Sequence, residues 1–180
     1  MYRLLFAIAL GLVGAGIVHI LILFMLPVHS VQDAWSRISP VAAPFETVQL
    51  SESPSADNLP APDNPFLEAA ACRFDLSDGA VRVQAEGQMP FWSLSIFNRM
   101  GNNVFSINDD ASHERALDFV LTATDDGQQA REIANDLLEE SIVVEGVPEE
   151  GIALVRVFVP DETWSNLARD FLRSLDCRPM

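Results

Sequence analysis

The sequence predicts an α+β protein: an N-terminal transmembrane helix followed by a small domain with an antiparallel sheet covered by two helices. Three patterns predict it. Residues 4–26 are an apolar run whose one ionisable side chain is His19. From Cys72 to Leu121, and again from Ile142 to Val159, apolar residues alternate with polar ones, the period of half-buried strands. Segments 124–138 and 161–175 instead space their apolar residues three and four apart, as a helix with one buried stripe does. Such a helix must bury its stripe against the apolar face of a sheet.

The apolar run, at a rise of about 1.5 Å per residue, makes a helix of roughly 35 Å, enough to cross a hydrocarbon core about 30 Å thick. Arg3 precedes it and Arg37 follows, so the flanking side chains balance and the terminal amine tips the N-terminus towards the cytoplasm. The run exceeds the roughly 7–15 apolar residues of a signal-peptide core, and no small-x-small cleavage site precedes Pro27. An uncleaved signal anchor is therefore expected, with a cleaved signal peptide as the alternative. Ala7, Gly11, Gly14 and Ala15 share one helix face. Small residues four apart let a second helix approach closely, so this face is a candidate helix–helix contact, with plain lipid exposure as the alternative. His19 is expected to be a neutral imidazole, because a haem or proton-relay role needs a second group.

The rest of the 180-residue chain divides by composition. Residues 27–65 are a proline-rich juxtamembrane spacer: Val31 to Ile38 reads as a short amphipathic helix with Trp35 near the interface, and the rest as extended, with Phe45, Val48 and Leu50 pinning part of it to the domain. Residues 66–180 suit one small domain. Lysine is absent; beyond Pro27 stand ten arginines and 26 carboxylates, a formal charge of −16. That charge excludes a phosphate-tracking groove for nucleic acid and a polybasic membrane patch. It serves solubility, or attracts a basic partner or a cation.

Within the domain, strands are expected at 72–76 and 80–85, flanking the hairpin signal Ser77-Asp78-Gly79. Further strands follow at 91–97, 104–107 and 116–121. Thr124 caps a helix whose first turn holds Asp125 and Asp126 and whose stripe is Ala130, Ile133, Ala134, Leu137 and Leu138. Strands at 142–144 and 152–159 flank the turn Pro148-Glu149-Glu150-Gly151. Asp161 then caps a helix with Trp164, Leu167, Ala168, Phe171, Leu172 and Leu175 on one face.

Cys72 and Cys177 are the two cysteines. In an extracytoplasmic domain they most simply form a disulfide clipping the last helix to the sheet, the alternatives being two buried thiols or a redox pair, for which there is no C-x-x-C spacing. The densest polar cluster is Asn108, Asp109, Asp110, His113 and Glu114. Asp109 or Asp110 with His113 are weak candidates for holding a ligand or metal, and Ser106 with His113 and Asp109 for a hydrolytic triad. The stretch has no G-x-S-x-G, H-E-x-x-H or EF-hand pattern, and these residue types are ordinary loop chemistry. Glu139-Glu140 and Glu149-Glu150 read as solvated carboxylates, with a shallow calcium site as the alternative. No catalytic, metal-binding or cofactor-binding motif is read.

Several separated motifs give a family resemblance: Asp33-Ala34-Trp35-Ser36-Arg37-Ile38, Ala71-Cys72-Arg73-Phe74-Asp75-Leu76, Pro90-Phe91-Trp92-Ser93-Leu94-Ser95-Ile96-Phe97, Phe105-Ser106-Ile107-Asn108-Asp109, and Glu150-Gly151-Ile152 with Val159-Pro160-Asp161. In this order they make the chain resemble the short, membrane-anchored bacterial proteins of the domain of unknown function 1254. The resemblance implies a membrane-anchored partner of the sister domain of unknown function 1214, and it carries over no catalytic residue. The expected function is that of a single-pass protein of the cell inner membrane, held through residues 4–26, whose periplasmic domain serves interaction or assembly in the envelope. The alternative is a periplasmic ligand-binding or hydrolytic domain with its site near Phe91–His113.

Overall fold

The computed structural model describes residues 1–30, 35, 38–40, 42–50, 64–123 and 141–180, with backbone alone for 26–30. The chain forms two compact units, Met1–Asp33 and Ala34–Met180. The first holds helix α1 (Tyr2–Ser30). Its stretch Tyr2–Met25 is long and apolar enough to cross a membrane, and none of its side chains is buried. The helix does not stop at Pro27: a proline removes one hydrogen bond to the carbonyl four residues back, and the helix continues to Ser30.

The second unit has the α+β character read from the sequence, in two sheets. Its strands are β1 (Thr47–Gln49), β2 (Leu67–Asp75), β3 (Val81–Ala85), β4 (Trp92–Asn98), β5 (Asn103–Asn108), β6 (Leu117–Leu121), β7 (Ile142–Val144), β8 (Glu150–Phe158) and β9 (Asp176–Pro179), with helix α2 (Ser165–Arg173) before β9. The five-stranded sheet runs β1-β2-β8-β4-β5 and is antiparallel throughout. The four-stranded sheet runs β7-β6-β3-β9, with β6 and β7 parallel. The expected helix over 124–138, the pair Glu139-Glu140 and spacer residues 51–63 lie outside the described residues.

The turn at Ser77-Asp78-Gly79 forms, but it does not make a hairpin. Gly79 donates its N–H to the Leu76 carbonyl (3.3 Å) in a backbone conformation, φ +135°, that favours glycine. Asp75 accepts the Ser77 N–H at 2.9 Å. The flanking strands then part: β2 lies between β1 and β8, β3 between β6 and β9. Leu76 instead donates its N–H to the Glu149 carbonyl (2.7 Å), which holds the corner beside the start of β8. Alternation specifies which side chains point inward and not which strand lies alongside.

The two sheets share one core. Ala70, Cys72 and Phe74 of β2, Trp92, Leu94 and Ile96 of β4, and Ala153, Val155 and Val157 of β8 meet Val81 and Val83 of β3 and Leu117, Phe119 and Leu121 of β6. Trp92 and Phe119 pack edge to face, centroids 6.0 Å apart, and the buried indole donates its Nε1–H to the Arg115 carbonyl at 2.9 Å. Ala168, Phe171 and Leu172 of α2 are buried in the same core. At the approach to α2, Asp161 accepts the Thr163 N–H at 2.9 Å and caps a short 3-10 turn, Glu162–Trp164.

Cys72 and Cys177 are disulfide-bonded, with Cα atoms 6.4 Å apart and a sequence separation of 105. Cys177 lies in β9, a strand the sequence reading left out, so the bond ties one sheet to the other across the core and does not clip a helix. Replacing both cysteines by alanine is expected to lower stability by about 2–5 kcal/mol, the usual effect of opening a long loop. Urea unfolding of the variant, beside the native protein with and without reductant, checks this; reductant should move only the native protein.

Gly151, near the start of β8, sits between Phe74 of β2 and Asn98 of β4. A Cβ there would fall 2.5 Å from the Phe97 carbonyl oxygen and against the Phe74 ring. The strand needs glycine at this point because a ring and a backbone close on it from two sides. Gly151→Ala is expected to cost about 1–3 kcal/mol, as overpacking does, measured as a lower urea midpoint at unchanged slope.

Candidate functional site

Strand β8 turns Ile152, Leu154, Arg156 and Phe158 to the face of the five-stranded sheet opposite the core, where β2 adds Ala69, Ala71 and Arg73 and β4 adds Ser93, Ser95 and Phe97. This outer face carries two distinct features, one at each end.

At one end the polypeptide before β2 folds back over the sheet. The Ser39 and Ala42 amides donate to the Trp35 and Ile38 carbonyls (2.9 Å each), and Leu50 donates its N–H to the Ala69 carbonyl at 2.9 Å. Ile38, Ala42 and Leu50 are buried on Ala69, Ala71 and Ile152, with Trp35 against them. Arg73 fastens the segment: its Nη1 donates to the carbonyls of Ser39 (3.3 Å) and Ala42 (3.0 Å), and its guanidinium lies 4.7 Å from the Trp35 ring centroid. Arg99 stacks on the same indole at 5.2 Å and pairs with Glu150 at 3.0 Å. The described residues between Trp35 and Leu50 thus belong to the folded unit, and Phe45, Val48 and Leu50 pack against the domain as expected. Beneath it lies a cavity of about 300 Å³. Trp35, Ile38 and Leu50 wall one side and Ala69, Ile152 and Leu154 the other; Phe97, Asn98, Gly101 and Arg156 complete the lining.

At the other end three phenylalanines stand in solvent: Phe66, Phe91 and Phe158 are 50%, 57% and 41% exposed. Phe158 lies 6.4 Å, centroid to centroid, from each of the other two. Phe91 has a left-handed backbone, φ +62°, which costs a non-glycine residue about 1–2 kcal/mol. Asp109, 4% exposed, holds it there by accepting the Phe91 N–H at 3.1 Å. Arg115 in turn pairs with Asp109 at 3.6 Å and with Asp110 at 3.2 Å.

The polar residues singled out in the sequence are accordingly separated. Ser106 hydrogen-bonds Ser95 (2.7 Å) and accepts from the Asn103 amide (3.0 Å) on the outer face. Asp109 is buried under Phe91, Asp110 pairs with Arg115 on the surface, and His113 is exposed. Among the described residues no hydrogen bond joins Ser106, Asp109 and His113, and no group of three His, Cys, Asp or Glu side chains converges on a metal position. The sequence reading missed the cavity, because its lining comes from segments far apart in the chain. On α1, Gly11 and Gly14 face open space: a Cβ at either would meet nothing within 4 Å. Packing within the chain does not require glycine there.

The perturbed carboxylates act in structure. Asp75 and Asp161 are held below the ordinary carboxylate value by hydrogen bonds from the Ser77 and Thr163 hydroxyls and amides. Burial pushes Asp118 up, but hydrogen bonds from Arg82 and Ser141, with the charges of Arg82 and Arg178, outweigh it and hold the carboxyl down. Arg82 grips Asp118 with two bonds, 2.9 and 2.6 Å, and Ser141 adds one of 2.7 Å. A general acid needs a raised pKa; these three are lowered.

No protein-family model matches the chain, and no curated protein matches it in sequence. Its fold is similar to that of a Vibrio parahaemolyticus protein of known crystal structure, with a TM-score of 0.51 and 12% identity over 64% of this chain. An uncharacterised Burkholderia cenocepacia protein aligns over 73% of the chain with 16% identity and a TM-score of 0.41. The chain spans 28% and 37% of those two proteins. The first likeness shows a shared fold.

Asp118 sets a pH dependence. Its folded pKa lies below the unfolded value of 3.8, so the stabilisation is present above that value and is lost as pH falls through the folded pKa. Asp118→Asn is expected to cost about 1–3 kcal/mol at neutral pH, because Arg82 and Ser141 lose a charged acceptor. The cost should shrink as pH falls below 3.8 and the carboxylate becomes protonated, as read from urea midpoints across an acid series.

Proposed function

We propose that this chain is a single-pass protein of the cell inner membrane whose α+β domain stands in the periplasm and serves as an interaction or assembly domain of the envelope. One observation carries the reading: the cluster Phe66, Phe91 and Phe158, exposed together, with the strained backbone of Phe91 held by Asp109. A contiguous group of exposed aromatics marks a surface that another protein covers. The span in α1 supports membrane attachment, and the open Ala7, Gly11, Gly14 and Ala15 face supports a partner that is itself a membrane protein. The resemblance to the domain of unknown function 1254 rests on the motifs alone, and with it a partner of the domain of unknown function 1214. The excess of carboxylates favours a partner with a basic surface around the aromatic contact.

A hydrolytic site near Phe91–His113 gains no support from the placement of Ser106, Asp109 and His113. A photo-crosslinking residue installed in turn at Phe66, Phe91 and Phe158, in the full chain in its membrane, is expected to give one discrete protein adduct. Gln84, on the outer face of the other sheet, is the control and should give none. No adduct at the three phenylalanines, or the same adducts at Gln84, overturns the reading.

A further inference from the structure

The cavity over the outer face of the five-stranded sheet has the chemistry of a ligand site, and the aromatic cluster does not account for it. Its walls are aliphatic and aromatic, and one cation reaches its lining. Arg156 donates to the Ser95 hydroxyl at 3.4 Å, a marginal bond, and among the described residues it makes no ion pair. Among the described residues Arg73 and Arg156 are the half-buried guanidiniums of this outer face that make no ion pair, and of the two only Arg156 lines the cavity. Arg73 and Arg99 stack on the Trp35 wall, Arg99 being paired with Glu150 as well.

Size limits what fits. At roughly 30 Å³ per water-sized heavy atom, about 300 Å³ holds on the order of ten of them. A two-chain lipid is too large; one short chain with a small head is not. We propose that this cavity binds a small amphipathic carboxylate, a single alkyl chain of about eight carbons lying against Leu154 and Ile152 with its head group on Arg156. The guanidinium offers the carboxylate a bidentate, charge-assisted contact, and each methylene leaving water adds about fourfold in affinity until the cavity is full. Trp35 closes the site from the segment before β1, so occupancy would also secure the fold of that segment. The proposal is independent of the protein-partner reading, since substitutions at Phe66, Phe91 or Phe158 leave the lining intact.

The test uses the full chain in lipid nanodiscs, with titration calorimetry of hexanoate, octanoate, dodecanoate, octanol and octylammonium, each corrected against empty nanodiscs. Saturable octanoate binding is expected, tighter than hexanoate and dodecanoate; partition into the bilayer instead strengthens steadily with chain length. Arg156→Gln should weaken octanoate by about tenfold or more and leave octanol unchanged. Ala69→Leu, which fills the cavity, should abolish both. The absence of saturable octanoate binding overturns the proposal, as does steady strengthening with chain length. Octylammonium binding as tightly as octanoate, or octanoate equally tight in folded Arg156→Gln, does the same. The chain-length series and the ammonium comparison need no variant, so a misfolded mutant does not blunt the test.

Discussion

Strand β8 is paired along its length on both sides, from Leu67↔Phe158 to Asp75↔Glu150 with β2 and from Trp92↔Val157 to Asn98↔Gly151 with β4. Because side chains alternate faces strictly, this pairing fixes in one step which residues are core and which are surface on three strands. A slip of one residue would put Arg156 into the core and Val155 and Val157 outside. Gly151 lets the strand pass between Phe74 and the Phe97 carbonyl, and Phe158 at the far end meets Phe66 and Phe91. The disulfide adds a second constraint from the inward side, joining Cys72 of β2 to the last strand of the other sheet.

The inward face is conventional in its energetics: aliphatic and aromatic side chains from both sheets and α2, with the one buried indole N–H satisfied. The outward face divides its labour. Polar side chains there mostly bind one another or the backbone, as Ser95 and Ser106 do, or Arg73 with the Ser39 and Ala42 carbonyls. Arg156 differs in that it lines the cavity and, among the described residues, holds only a marginal bond to Ser95. Asp109 shows the opposite case: a buried acid whose oxygen supports a strained backbone and pairs with an arginine. Its burial reads as structural duty, and the exposed ring it positions is the feature that faces outward.

Much of the domain was legible because alternation is local. The strand at Ile142–Val144 matches its expected bounds, and those at Val81–Ala85, Trp92–Asn98 and Leu117–Leu121 do so within one residue at either end. The last helix was readable for the same reason, with Ala168, Phe171 and Leu172 buried as expected, although Leu167 is exposed and Asp161 caps the 3-10 turn that precedes the helix. Strand β9 was not, because Asp-Cys-Arg-Pro is short and polar and becomes a strand only by pairing with β3. The Ser77-Asp78-Gly79 turn was correctly placed and its strands wrongly paired, since the same turn serves a hairpin or a corner between sheets. The polar cluster at Asn108–Glu114 drew attention as chemistry, yet Asp109 and Asp110 each meet Arg115, and the ring held in place is Phe91.

By itself the sequence determined the apolar span, the acidic character of the chain beyond it, the α+β class and the two cysteines available for a bond. All of these come from composition or from short-range periodicity. Only the tertiary structure decided that the cysteines join two sheets, that Trp35, Ile38, Ala42 and Leu50 pack over β2 and β8, and that a cavity lies beneath, lined by an arginine that makes no ion pair among the described residues. It likewise brought together three phenylalanines separated by 25 and 67 residues in the chain. The reason is physical: both features lie across strands β2, β8 and β4, neighbours in the sheet that are distant in sequence, and long-range strand order is set by the packing of whole faces.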